Sequence, residues 1–239
     1  MIVYERIPYK RNQDIIRISD KEKGADLVIS LVDGYSKPGL PEGDRPGREI
    51  ARTVGKLFPQ YFLNFLNSKI SDLQIRAEKT ALLVDRDVLK RFPKYVACVG
   101  IFLFEIQNKQ VIVTVGSVIV YVWNGRRWFK PKEIGDYSLD PKDPKSYGSD
   151  VSRFFGGGDN KDKPLFSCKP DVVEIDIETS IFLATDGLED VFTLKDFNNF
   201  TYKLKNKRSQ SFIKKLTREI KKRNNQKDDI SILIKGHIE

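Results

Sequence analysis

The stretch YVACVGIFLFEIQNKQVIVTVGSVIVYVW, Tyr95 to Trp123, constrains the fold more than any other. It holds two apolar runs separated by the polar segment EIQNKQ. Each run falls short of the ~20 residues that a membrane helix needs. Both are rich in Val, Ile and Phe, so they read as buried strands of a β-meander. Asn124-Gly125 follows, and Asn-Gly is the preferred dipeptide of a two-residue hairpin turn.

The remaining segments fit around that core. DIIRIS and DLVISLVD read as strands, the second one buried. REIARTVGKLFPQYFLNFLNS places Ile50, Val54, Leu57, Phe58, Phe62 and Phe65 at helical spacing, with Pro59 expected to kink or break the helix. SDLQIRAEKTALLVDRDVLKRF reads as a second helix with Ser71 as its N-cap. A polar region rich in Gly and Pro, about 134–165, reads as a mobile loop. DVVEIDI and SIFLATD are strands, RSQSFIKKLTREIKKRNN is an amphipathic helix, and ISILIKG is a last strand. Strands and helices do not alternate as they do in a parallel sheet. The order points to an α+β fold of antiparallel sheets with helices outside, with no composition break that would divide residues 1–239 into two domains.

Two cysteines, Cys98 and Cys168, make no disulfide framework and fit a reducing cytoplasm. MIVYERIPYK is too short and too polar for a signal peptide. The formal net charge is +9, and much of the excess lies in YKLKNKRSQSFIKKLTREIKKRNNQK. That run reads first as a solvated helix face. Nucleic acid is the weaker partner class, because aromatic interleaving and zinc-finger spacings are both absent.

Four aspartates stand where apolar strands meet polar edges: Asp14 in RNQDIIRI, Asp33 after LVISLV, Asp186 after IFLAT, and Asp228 before DISILI. Each alone is more often a turn or cap residue. Together, on strands of one core, they would repel, and a hard divalent cation would cancel the repulsion. Oxygen ligands without usable His or Cys favour Mg²⁺ or Mn²⁺ over Zn²⁺.

These motifs, in this order, resemble the metal-dependent protein phosphatases, the type 2C serine/threonine class. RNQDIIRI is similar to that family's first acidic motif. LVDGYSKPG is similar to its Asp-Gly metal motif, and IVTVGSVIVYVWNG to its central strand and hairpin. VSRFFGGG, IFLATDGLEDVFT and KDDISILIKG are similar to its later segments. The resemblance implies a four-layer α/β/β/α sandwich of two antiparallel β-sheets flanked by helices. It also implies one phosphatase catalytic domain over residues 1–239, with a flap at about 134–165.

The resemblance further implies two Mg²⁺ or Mn²⁺ ions per site and hydrolysis of phosphoserine and phosphothreonine by a metal-activated bridging water. Asp33 would bridge the ions. The Gly34 carbonyl and Asp14 would bind one, and Asp186 and Asp228 the other, with Asp33, Asp186 and Asp228 the residues that carry catalysis. Arg11, with Lys10 beside it, would bind phosphate, and Arg6 lies further away in sequence. The implied partners are phosphorylated proteins, substrates of a Ser/Thr kinase, in cytoplasmic signalling. The sequence departs from the family at Ser117, where an acid for a third ion is expected. Tyr35 replaces a histidine that some members have. Asp229 replaces an Asn and is expected to hydrogen-bond the turn. Ser117 motivates a second reading, a pseudophosphatase that binds phosphoproteins with little or no turnover.

Overall fold

The computed structural model describes residues 1–8, 12–36, 43, 45–67, 70–92, 96–135, 153–157, 168–202, 209–226 and 228–236. Two antiparallel sheets form its centre. The first runs β2 (Ile15–Glu22), β3 (Ala25–Ser36), β4 (Val96–Ile106), β5 (Lys109–Val115), β9 (Asp171–Asp176), with β8 (Phe155–Gly156) added to β4. The second runs β1 (Ile2–Ile7), β11 (Ile230–Lys235), β10 (Ile181–Thr185), β6 (Val118–Trp123), β7 (Trp128–Phe129).

Strand periodicity explains the layers. Along β3, Leu27, Ile29 and Leu31 face the other sheet, meeting Val120, Leu183 and Leu233. The alternate residues Val28 and Val32 face outward, into a cluster with α1 (Arg45–Asn64) and α2 (Leu73–Arg91). β4 does the same, with Ile101 and Leu103 inward and Phe102 and Phe104 outward. Strands covered on both faces need apolar residues at every position, which is why these segments read as unbroken apolar runs. On the second sheet, α3 (Leu194–Tyr202) and α4 (Ser209–Arg223) bury Phe197, Phe212, Ile213, Leu216 and Ile220. The result is the expected four-layer α/β/β/α sandwich. No helix among the described residues is long and apolar enough to cross a membrane.

Pro59 does not end α1; the helix runs through it to Asn64. Proline at this position removes the N–H that would bond the Gly55 carbonyl, four residues earlier. The Ser30 hydroxyl, on β3, donates to that carbonyl at 2.9 Å. A side chain from the sheet thus supplies the missing donor. Phe58 and Phe62, either side of the proline, stack on Phe102 and Phe104 at ring-centroid distances of 3.9 and 4.3 Å. Ser30→Ala is expected to cost about 1–3 kcal/mol, the penalty of a buried carbonyl left unpaired. Denaturant unfolding measures it, and Ser30→Ala combined with Pro59→Ala should recover much of the loss.

Other local expectations shift by small amounts. The N-cap of α2 is Asp72, not Ser71; its side chain accepts from Ile75 N at 2.9 Å. The meander is not one sheet, because β4–β5 belongs to the first sheet and β6–β7 to the second. The chain changes sheets at Gly116-Ser117, where Gly116 has φ +91° and a Cβ would lie 2.2 Å from the Arg153 carbonyl. Asn124-Gly125 is not a two-residue turn. Trp123 pairs with Trp128, leaving residues 124–127 in the loop, where Asn124 Oδ1 accepts from Arg126 N and Arg127 N. Of the expected loop at 134–165, residues 136–152 and 158–165 lie outside the described residues. Its described margins are core: Ile134, Phe154 and Phe155 are buried.

Candidate active site

Strand register brings the four aspartates to one edge of the sandwich. β2 and β3 pair Ile15 with Val32, and one further step sets Asp14 opposite Asp33. Asp33 continues the Leu27–Ile29–Leu31 face of β3, so it points into the space between the sheets. From the other sheet, β10 ends at Thr185 and turns at once through Asp186–Leu188. Gly187 permits that tight exit, since a Cβ there would lie 2.3 Å from the Asp229 carbonyl. β6 pairs Val118 with Thr185, so Ser117 meets Asp186, and Asp228 leads into β11. Each sheet therefore supplies two acids, and the link between the sheets supplies Ser117.

Hydrogen bonds lock this edge across the sheets. Thr185 Oγ1 donates to Asp14 Oδ2 at 3.0 Å and accepts from Ser231 N at 2.9 Å. Gln13 N donates to Asp229 Oδ2 at 2.8 Å, and Gln13 Nε2 donates to Ser36 Oγ at 3.0 Å. Asp229 N donates to Asp228 Oδ1 at 2.8 Å. The buried Asp229 carboxylate thus reaches across to the Asp14 segment, where a bond within its own turn was expected. Gly34 is set by packing: a Cβ would lie 2.1 Å from the Gly47 carbonyl of α1.

Electrostatics mark the acids as strained in their ionised form. Burial pushes the Asp33 carboxyl well above its ordinary value, and the charges of Asp14, Asp186 and Asp228 push it further. Asp186 is raised to about 7, first by burial and then by Asp228, Asp14 and Glu189, while a hydrogen bond from Ser117 works the other way. Burial also raises Asp14, partly offset by hydrogen bonds, that from Thr185 among them. Asp14 Oδ1 is buried with no hydrogen bond of good geometry. A buried carboxylate oxygen without a donor, beside other carboxylates, is a site that a cation relieves. The donor set is all oxygen, which fits Mg²⁺ or Mn²⁺. Among the described residues no group of three or more His, Cys, Asp or Glu side chains stands ready to enclose an ion; the acids share one electrostatic neighbourhood rather than a closed shell.

Arg11 and Lys10, the expected phosphate binders, lie outside the described residues. Arg6, set aside on sequence distance, is on β1 opposite Ser231 and donates through Nη2 to Asn12 Oδ1. That places its guanidinium beside the segment carrying Asp14. Tyr35, two residues beyond Asp33, is exposed. The Thr185 hydroxyl is a contributor that the sequence did not announce, and Ser117, noted there only as a departure, donates to Asp186. Their signal was position: each is a hydroxyl residue at a strand end next to a site aspartate or a sheet-switching glycine.

No protein-family model and no curated protein matches the sequence. Solved structures do match in shape. The serine/threonine phosphatase of Streptococcus agalactiae superposes with a TM-score of 0.69 at 14% identity, covering 98% of this chain and 98% of its own. Stp1, a serine/threonine phosphatase from Staphylococcus aureus, gives 0.67 at 15%, covering 100% and 94%. A Caenorhabditis elegans sex-determining protein gives 0.70 at 17%, covering 100% of this chain and 65% of its own. The chain has the fold of these proteins.

Proposed function

We propose that the protein is a divalent-metal-dependent phosphatase acting on phosphoserine and phosphothreonine in proteins. One observation carries this reading: four carboxylates, two from each sheet, meet at one edge of the sandwich, and the ionised forms of Asp14, Asp33 and Asp186 are destabilised there. The shape shared with bacterial serine/threonine phosphatases supports it. In this reading Asp33 would help to hold both ions. Asp14 and the Gly34 carbonyl would hold one, and Asp186 and Asp228 the other. Bound Mg²⁺ or Mn²⁺ supplies an activated water nucleophile and offsets the charge of the phosphoryl oxygens.

The chain's own part is to hold these donors ionised and oriented. Thr185 fixes Asp14, Ser117 fixes Asp186, and the Asp229–Gln13 bond keeps the two sheets in register at the site. Overall, a water oxygen bonds to phosphorus, the bond from phosphorus to the serine or threonine oxygen breaks, and that oxygen takes up a proton. Arg11 and Lys10, with Arg6 as a third candidate, would bind the phosphate, where guanidinium matches its geometry. Residues 1–239 would act as one catalytic domain with 134–165 as a flap. Its substrates would be proteins phosphorylated by a Ser/Thr kinase. A cytoplasmic setting agrees with a sequence that holds only two cysteines, Cys98 and Cys168.

A second reading rests on Ser117. It donates to Asp186 where the resemblance expects an acid, which favours a phosphoprotein-binding pseudophosphatase with little turnover. Phosphate release from an aryl phosphate, with Mn²⁺ and then with a chelator, separates the two. Release that needs Mn²⁺ and stops on chelation supports the enzyme. Calorimetric Mn²⁺ binding without release supports the second reading, and absence of both results in folded protein sinks the metal assignment.

A further inference from the structure

The outer face of α2 carries a pattern that the fold does not use. Its inner face buries Ala77, Ala81, Val84 and Val88. On the opposite side Ile75, Leu82 and Leu89 are 46%, 44% and 45% exposed. Among the described residues these are the only exposed isoleucine or leucine side chains. They fall seven residues apart, so they form one line along the helix, with steps of about 10.5 Å. An apolar residue every seventh position is one of the two apolar positions of a heptad, and the exposed positions between are charged, so the line offers half of a helix-on-helix seam flanked by charge.

The charges beside that seam have a sign. Lys79, Arg86 and Lys90 lie on its flank toward α1, the side where Asp87 meets Tyr61. Beyond them, Arg52, Lys56 and Arg91 line a groove of about 460 Å³ between α1 and α2, with Leu57 at its wall. The acids of this layer are already engaged in the fold. Asp87 Oδ2 accepts from Tyr61 OH at 2.6 Å, Asp85 Oδ1 from Gly156 N at 2.8 Å, and Glu78 Oε1 from Gln74 Nε2 at 2.9 Å. Among the described residues these cations make no hydrogen bond of their own; Arg86 approaches Asp87 at 3.8 Å, and Lys90 and Arg91 also act on that carboxylate.

We propose that this face of α2 binds an acidic amphipathic helix of a partner protein. Its apolar line would cover Ile75, Leu82 and Leu89, and its carboxylates would meet Lys79, Arg86 and the α1–α2 groove. A second copy of α2 fits poorly in antiparallel pairing, because the cationic flank would meet itself. A bilayer is flat and would leave the groove unfilled.

The probe is a fluorescein-labelled synthetic helix of about three heptads, with leucine every seventh residue and glutamates beside each leucine. Anisotropy titration is expected to show binding that weakens as salt rises. Leu82→Glu and the double change Lys79→Glu/Arg86→Glu should each weaken it by about tenfold or more. A scrambled peptide of the same composition should bind at least about tenfold more weakly. All three positions are on the surface, so circular dichroism should match the unchanged protein. Absence of binding, equal binding by Leu82→Glu, or equal binding of the scrambled peptide overturns the proposal. So does a dimer in sedimentation that Leu82→Glu splits, which would make the face a self-interface. Tighter capture by phosphatidylserine vesicles than by the peptide would likewise overturn it.

Discussion

Asp186→Asn is expected to abolish Mn²⁺-dependent phosphate release while making the metal-free protein more stable. The two effects share one cause. Asp186 follows β10 directly, among Asp33, Asp14 and Asp228, where its charge is costly without a cation and useful with one. Losing a donor to a catalytic ion forfeits several kcal/mol of charge stabilisation, about three orders of magnitude in rate or more. The amide keeps the size of the side chain and can still accept from Ser117, but it brings no charge. At pH 8 the metal-free variant should gain about 2 kcal/mol, or about 4–8 °C in melting temperature for a chain of this size. Steady-state kinetics and calorimetry read the two effects. Retained turnover would remove Asp186 from the site, and unchanged melting would mean that the acids do not repel.

The metal-free protein should also become more stable as the pH falls from 8 to 5, opposite to the usual behaviour of paired carboxylates. Asp186 is raised in the fold to about 7 from an ordinary 3.8. Its favourable contribution is therefore complete below 3.8 and is lost as pH rises through about 7. Between pH 8 and 5 this group alone returns about 2–3 kcal/mol. Asp33 and Asp14 are raised too, and shift in the same direction. Saturating Mn²⁺ should flatten the dependence, because the ion competes with protons for the ionised carboxylates. Asp186→Asn should flatten it as well. A melting temperature that falls steadily from pH 8 to 5 in chelator would show that the cluster is not desolvated as described.

What the sequence disclosed followed from periodicity. β3, β4, β5 and β10 are apolar because both their faces are covered, and an apolar run needs no partner to be recognised. The aspartates were legible because each interrupts such a run where water begins. β1 and α3 were not foreseen. IVYERI mixes exposed Tyr4 and Glu5 with buried Ile7 and gains its strand character from pairing with β11. LKDFNNFTY is only nine residues long, and packing around Phe197 decides it. That α1 continues past Pro59 was hidden because local propensity cannot reveal a donor on another element, and Ser30 is distant in sequence. The change of sheet at Gly116-Ser117 was hidden for a related reason: Val115 and Val118 look alike, although they belong to different layers. Among the site residues, the acids were visible by type. The hydroxyls that orient them are common residues, and only the fold gives them a role.

β1 touches the second sheet only through β11, which is made last of all the strands. The first sheet can draw most of its strands from the earlier part of the chain, but the second stays incomplete until β11 has been synthesised. Asp228 arrives with that strand, and the Gln13–Asp229 bond forms only when it docks. During synthesis on the ribosome, the acid cluster is therefore complete only once β11 has emerged and docked. A nascent chain halted before Asp228 would present an unpaired β1 and an open β10 edge to chaperones and to other nascent chains.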